Sequence, residues 1–437
     1  MMNILKLTLH RYSNYFGIIN FPGGICTMDK INYADLTWVM ISTALVMIMT
    51  PMLAFFYGGL VRKKNILSVL MQCMVILCVI SLQWILFGYS LAFGPDKGGI
   101  IGGLEWIALN GVGLEPHGTY MSTIPHQLFM AFQMMFAVIT PALIIGAFAE
   151  RIKFSGFLLF TILWATLVYD PLAHWVWAKD GWLMALGALD FAGGTVIHIN
   201  AGISALVFIL LLGKRVGHEH RLPHNLPFAV LGAGFLWFGW FGFNAGSAGA
   251  ASTVAVIAFI NTNTAAAAAG LTWLVLDWIF NKVPTMLGVA TGLVAGLVAV
   301  TPAAGYVTPL SAIVIGAIAT LFCFLFVTKI KEKFGYDDAL DVFGVHGVGG
   351  IIGALATGLF ATKTVNAAGN NGLFYGNPEL LLVQLLTTVV SIVFSAVMTF
   401  VLFRIVDALI GMRVDAKDEN IGLDLTQHHE TGYTLHE

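Results

Sequence analysis

The sequence predicts an all-α polytopic membrane protein: eleven transmembrane helices, built as two inverted five-helix repeats plus a long C-terminal helix. Three observations carry this. Of 437 residues, 58% are hydrophobic and only 10% charged, whereas soluble domains carry roughly a quarter charged residues. Eleven apolar stretches are long enough to cross a hydrocarbon layer of about 30 Å, which takes about 20 helical residues. An aspartate followed eight residues later by a histidine occurs twice, as Asp190–His198 and Asp338–His346.

The stretches lie near 36–59, 66–93, 126–149, 155–177, 189–212, 226–248, 252–279, 284–303, 307–328, 342–362 and 381–409. Basic residues test the count. Connections after the odd-numbered spans hold Arg62, Lys63 and Lys64; Arg151 and Lys153; Lys214, Arg215 and Arg221; Lys282; and Lys329, Lys331 and Lys333. With Arg404, Arg413 and Lys417 at the end, fifteen of the 21 basic residues fall on one side. Positive residues mark the cytoplasmic side. The N-terminus is therefore expected outside and the C-terminus inside a cell membrane, which needs an odd number of spans. Residues 1–33 read as a leader or signal-like segment, with Met28 as an alternative start. Residues 34–412 read as the eleven-helix membrane domain and 413–437 as a cytoplasmic tail. A net charge of −2 and the absence of a basic block give nucleic-acid binding no electrostatic support. The cysteines Cys26, Cys73, Cys78 and Cys323 form no C-x-x-C pair.

The two Asp/His copies fall in spans five and ten. A five-span repeat unit is odd, so its copies (about 36–212 and 226–362) enter the membrane from opposite faces. Inverted repeats of this kind place their site near the midplane. Eight helical residues rise about 12 Å, close to half the hydrocarbon thickness of about 15 Å. His198 and His346 are thus expected to meet at the bilayer centre. Asp190 and Asp338 stay nearer the helix starts, where a carboxylate can accept backbone N–H groups. Each histidine alone also fits a hydrogen bond to a neighbouring helix; the matched depth of two copies favours a proton or substrate path.

Aromatic and small residues gather near the predicted outer mouth. Phe132 and Phe136 are four apart, on one helix face. Trp177 ends span four, and Phe243 and Ser247 end span six. Aromatic faces attract a cation, more so when water is excluded, and a serine hydroxyl accepts a hydrogen bond from an ammonium-type ion. Each residue alone also fits plain packing, or for Trp177 an interfacial belt. The 48 glycines suit close helix contacts and a narrow passage rather than a wide pore.

The segments ERIKF, GALDFAGGTVIHINAG, KRVG, PHNLP, GWFGFNAGS and DVFGVHGVGG, in this order, resemble the ammonium transporter (Amt/Mep/Rh) family on its Amt branch, over residues 33–433. The resemblance implies an eleven-span homotrimer with one narrow path per subunit, taking up ammonium and its analogue methylammonium. It places the paired pore histidines on His198 and His346. The outer recruiting site falls on Phe132, Trp177 and Ser247, with Asp190 as the nearby carboxylate, and a stacked phenyl gate on Phe136 and Phe243. It also implies a PII signal protein as a cytoplasmic partner. Two stretches depart from the family pattern: AKDGW after Trp177, which brings Lys179 and Asp180 to the mouth, and the tail end after GLDLTQ.

The mechanism expected is recruitment of ammonium, its deprotonation, conduction of ammonia past the histidines and a separate proton relay, so that uptake moves charge. Three alternatives stand beside it. An Rh-like neutral gas channel needs no cation site. A polytopic membrane metallo-enzyme would show a compact motif such as H-E-x-x-H, whereas His198 and His346 are 148 positions apart; GHEHRLPH (217–224) has metal-like density but reads as a solvated loop. A nitrogen sensor would signal through a partner. No enzymatic activity, metal or cofactor is expected.

Overall fold

The computed structural model describes residues 30–217 and 222–433. Predicted features in 1–29, in 218–221 of the histidine-rich loop and in 434–437 lie outside the described residues. Among the described residues, ten helices are long and apolar enough to span a membrane: α1 (Tyr33–Leu60), α2 (Lys63–Phe93), α3 (His126–Phe148), α4 (Phe154–Ala185), α5 (Gly194–Leu212), α6 (Leu226–Gly246), α7 (Thr253–Asn281), α9 (Pro309–Phe334), α10 (Phe343–Phe360) and α11 (Pro378–Ile410). The eleventh predicted span is α8 (Met286–Val300), only fifteen residues long. At 1.5 Å per residue it covers about 22 Å. The chain beyond it turns instead of continuing, and Asn261 of α7 donates to Ala304 O (2.8 Å) and Val307 O (2.7 Å) of that turn. Non-helical backbone in a membrane is tolerated where such partners satisfy it.

The repeats interlock rather than lie side by side. α1 packs along α6, and α5 meets α10, each pair joining equivalent helices of the two halves. Small residues permit this closeness. A Cβ on Gly202 of α5 would stand 2.2 Å from Gly347 N and 2.3 Å from Gly347 Cα of α10. That is contact of backbone with backbone, beside His346. Likewise a Cβ on Gly353 would stand 2.2 Å from Ala299 O of α8. α11 runs outside both halves and ties them. Gln384 accepts from Leu189 N (2.8 Å) and donates to Leu189 O (2.8 Å) and Ala354 O (3.1 Å), while Ser395 donates to Asn200 Oδ1 (2.7 Å).

Several spans are not regular α-helices. π-turns interrupt α2 at Trp84–Gly88, α4 at Ala165–Tyr169 and α9 at Phe326–Ile330, and they open α5 at Gly194–Ile199 and α10 at Phe343–Gly347. Near the first two, Gln83 Nε2 donates to the buried Asp170 carboxylate (2.8 Å), joining α2 to α4. The hairpin of β1 (Asp96–Lys97) and β2 (Ile101–Gly102) is fixed to α4 by His174, whose ring nitrogens lie 3.0 Å from Ala92 O and 2.9 Å from Asp96 Oδ1.

The tail folds back on the face bearing the basic connections. Two short helices, α12 (Ala416–Ile421) and α13 (Leu423–His428), dock there. Asp424 accepts from Ser68 N (2.8 Å) at the start of α2, and Arg413 donates to Lys214 O and to Glu419, both at 2.7 Å.

The glycine crossing gives a direct test. Gly202→Ala is expected to lower the thermal stability of the solubilised protein by about 1–3 kcal/mol and to push the two imidazoles apart. An unchanged melting temperature would mean that α5 and α10 can separate without cost.

Candidate functional site

The site begins where helix geometry fails. Residues 186–193 are non-helical, so Asp190 and His198 are not joined by eight helical residues, as the sequence reading assumed. The chain bends through Gly193 at φ 115°, a conformation open to glycine, and α5 starts at Gly194. A helix start leaves four N–H groups without intrahelical partners. The Asp190 carboxylate takes all four: Gly193 N and Gly194 N at 2.8 and 2.7 Å on Oδ1, and Thr195 N and Val196 N at 2.8 and 3.1 Å on Oδ2. Asp338 does the same for α10, accepting Val342 N (3.0 Å), Phe343 N (2.9 Å) and Gly344 N (3.4 Å). Both aspartates are caps, and the Asp190 oxygens are spent on backbone.

One turn beyond each cap stands a histidine. His198 and His346 meet with Nδ1 3.2 Å from Nδ1, their rings 5.3 Å apart and inclined by 25°. Such a contact needs one Nδ1–H and one Nδ1 lone pair, so the two rings hold opposite tautomers. Both are buried. Trp240 stacks on His198 at 5.5 Å and is itself fixed by donating to Thr301 Oγ1 (2.9 Å). The pair lines a cavity otherwise walled by apolar groups, among them Leu53, Ile139, Leu143, Leu236 and Phe243, with room for about one water-sized molecule.

Toward the face carrying the 94–125 loop, the cavity is shut by Phe136 and Phe243, whose rings lie 4.6 Å apart. Above them opens a vestibule of about 200 Å³ lined by Phe93, Tyr120, Phe129, Gln133, Phe136, Trp177, Phe191 and Ser247, among others. Trp177 meets Phe136 edge-on at 5.9 Å and is held by donating to Asp190 O (2.9 Å). The cap that starts α5 therefore also sets the tryptophan. Ser247 donates its hydroxyl proton to Phe243 O (2.8 Å), leaving its lone pairs to accept. Phe132 is fully buried, 4.9 Å from Phe136, and close to where a Cβ on Gly246 would stand; it backs Phe136. Lys179 and Asp180 are both exposed.

Toward the opposite face, a second cavity of about 200 Å³ runs from His346 past Val345, Leu340 and Thr291 to Arg62, Glu150, Arg215 and Asp341. Arg215 clamps Asp337 (2.7 and 2.8 Å) and reaches Glu150 (3.0 Å), which Arg62 also meets (3.1 Å). Burial pushes the Glu150 carboxyl up, but Arg215 and Arg62 outweigh it and hold it below the usual range.

Tyr120, Gln133, Phe191 and Trp240 were not singled out from sequence. Gln133 carries a readable signal, a polar residue between Phe129 and Phe136 on one helix face. Tyr120 and Phe191 come from irregular segments that carry none. Of the histidine-rich loop, His224 lies between Val61 O (2.8 Å) and Tyr433 Oη (2.9 Å). No cluster of three metal-binding side chains occurs among the described residues.

A multi-pass helical membrane protein with interlocked inverted repeats and a small histidine-lined cavity between two larger ones has the architecture of a membrane transporter. The model of the Ammonium Transporter Family matches residues 37–433. The chain is 54% identical over 399 residues to the ammonium transporter of Bacillus subtilis, covering 91% of this chain and 98% of that one. Its fold is similar to the crystal structure of Candida albicans Mep2 (TM-score 0.86, 35% identity, 94% and 95% covered) and to a structure described as a sensor Amt protein (0.83, 31%, 91% and 98%). The chain belongs to the ammonium transporter family, which is a family of transporters and not of enzymes.

The capping carboxylates yield a prediction. Asp190→Ala strips four buried N–H groups of their acceptor, each costing about 1–3 kcal/mol unpaired. It should lower stability far more than Ser247→Ala does, as read by thermal melting in detergent. Equal melting of the two variants would show that other acceptors replace the cap.

Proposed function

We propose that this protein takes up ammonium by recruiting the cation, stripping its proton and conducting ammonia. The observation carrying this reading is the Nδ1–Nδ1 contact of His198 and His346 in a one-molecule cavity between two larger ones. An intact ion in such a low-dielectric passage is costly, whereas neutral ammonia is not. The aromatic vestibule, with Trp177, Phe136 and Ser247 at its surface and Phe132 behind, holds ammonium by cation–π attraction and hydrogen bonding. Asp190 and Asp338 act through the helix starts they cap. Phe136 and Phe243 separate the wet vestibule from the dry segment. The imidazole pair, whose ring nitrogens can each take up or give a proton, guides ammonia and relays the proton separately, so that uptake moves charge.

On this reading the vestibule faces outward, and the basic connections and tail face the cytoplasm of a cell-membrane protein, with the N-terminus outside. By family resemblance it works as a homotrimer, methylammonium is an analogue and a PII signal protein is a candidate partner. The vestibule favours this over a neutral gas channel, since a gas gains nothing from Ser247 and stacked aromatics. A sensor role is compatible with the fold and would rest on a bound partner.

Losing both histidines (His198→Ala with His346→Ala) should abolish selective methylammonium uptake and ammonium-evoked current in proteoliposomes; full, still selective activity would overturn the relay. Trp177→Leu should change the apparent affinity or rate of uptake, leaving the central pair intact. Identical uptake curves for wild type and Trp177→Leu would remove the tryptophan from the recruiting site.

A further inference from the structure

The vestibule must replace the hydration of a cation, and the acceptors available for this can be counted. The Asp190 carboxylate is occupied by four backbone N–H groups. Ser247 offers the lone pairs left once its proton goes to Phe243 O. The aromatic faces offer quadrupoles but no lone pairs. The Tyr120 hydroxyl already donates to Phe93 O (3.2 Å) and Thr119 is exposed, which leaves Gln133 among the polar side chains of the lining. Its Oε1 is buried and has no hydrogen-bond partner among the described residues. A buried carbonyl oxygen left unpaired is costly and calls for a reason; of the unpaired buried amide oxygens among the described residues, which include those of Gln72, Gln83, Asn244 and Asn261, that of Gln133 alone belongs to a vestibule residue. Its position supplies one: Phe129, Gln133 and Phe136 line the vestibule from a single face of α3, so Gln133 sits one turn before the ring that shuts the route.

We propose that Gln133 is a further substrate-positioning residue, its Oε1 accepting an N–H of the bound cation opposite the Ser247 hydroxyl, and that this neutral acceptor sets the preference for ammonium over its methylated analogue. The inference rests on the vestibule being the recruiting site. Ammonium has four N–H donors in a tetrahedron; methylammonium has three and an apolar methyl. Two fixed acceptors limit the orientations in which the methyl group clears the surrounding rings, and so reward the unmethylated ion. Neutrality matters as well. A carboxylate at this place would hold the cation as an ion pair in a low-dielectric site, and deprotonation and release would be slowed. An amide oxygen binds by dipole alone.

The test is concentration dependence of uptake of ammonium and of methylammonium in proteoliposomes, for Gln133→Leu, Gln133→Glu, Ser247→Ala and Trp177→Leu. A hydrogen bond to a charged group corresponds to about a tenfold change in affinity. Gln133→Leu should raise the half-saturation concentration for ammonium about tenfold, with the maximal rate within about twofold, and raise that for methylammonium less. Gln133→Glu should lower the half-saturation concentration and the maximal rate together. A purely structural glutamine would instead lower maximal rate in step with the amount of folded protein in both variants. That outcome, or an unchanged ratio of the two substrates in Gln133→Leu, overturns the proposal. If Ser247→Ala and Trp177→Leu shift half-saturation while Gln133→Leu does not, the glutamine inference fails and the recruiting site stands. If none of the four shifts it, the recruiting site itself fails.

Discussion

The structure depends on how two carboxylates satisfy backbone N–H groups inside a membrane. α5 and α10 do not cross as simple rods; each starts within the protein, after irregular chain, and a helix start away from water must find acceptors. Asp190 and Asp338 provide them at equivalent places in the two halves. That bonding fixes where each helix begins. It thereby fixes where, one π-turn later, each imidazole points. The same carboxylate–backbone unit holds Trp177 through Asp190 O, so the vestibule wall and the central pair share one anchor. The glycine contact at Gly202 and Gly347 then sets how close the anchored helices come.

Much of this was legible in the sequence, for identifiable reasons. Span count and inverted repeat follow from hydrophobic length and an odd repeat unit, quantities that tertiary packing cannot alter. The meeting of His198 with His346 was foreseen, yet by a measure that does not hold: four of the eight intervening steps are not helical. The prediction survives because the pseudo-symmetry places both irregular starts at matched depth, whatever their internal rise. α8 shows the opposite case. Its composition reads as a full span, but packing by Ala and Gly and the Asn261 bonds to the following turn let the chain break early. The π-turns have no local sequence mark of their own.

The vestibule was only half legible. Phe136 and Phe243 lie inside helices, Trp177 ends a helical segment and Ser247 caps one, so spacing predicts their facing, and they converge. Phe132 shares a helix face with Phe136 by spacing but lies behind it, because Gly246 of α6 leaves room there for a ring. Helix periodicity separates faces by about 100° per residue and cannot decide between two neighbours on one broad face. Tyr120 and Phe191 come from irregular chain, and their direction is set by contacts distant in sequence, such as the Tyr120 hydroxyl donating to Phe93 O (3.2 Å).

The two mouths differ in chemistry, and the difference bears on what each can do. The vestibule offers aromatic faces and neutral oxygens; its carboxylate is occupied, and Lys179 and Asp180 stand in solvent, where water and salt weaken their fields. The opposite cavity is bordered by Arg62 and Arg215 as well as Glu150 and Asp341, and its carboxylates at Glu150 and Asp337 are committed to arginine. A cation therefore finds aromatic faces and free lone pairs at one end and charges already bound in ion pairs at the other. On the proposed reading, ammonia leaving past His346 regains a proton in water at this mouth, which offers the resulting ammonium no aromatic site to hold it. Such asymmetry cannot by itself drive net transport, which follows the gradients of ammonium and charge. On the proposed reading it makes the end with the aromatic vestibule the one at which a dilute cation is captured.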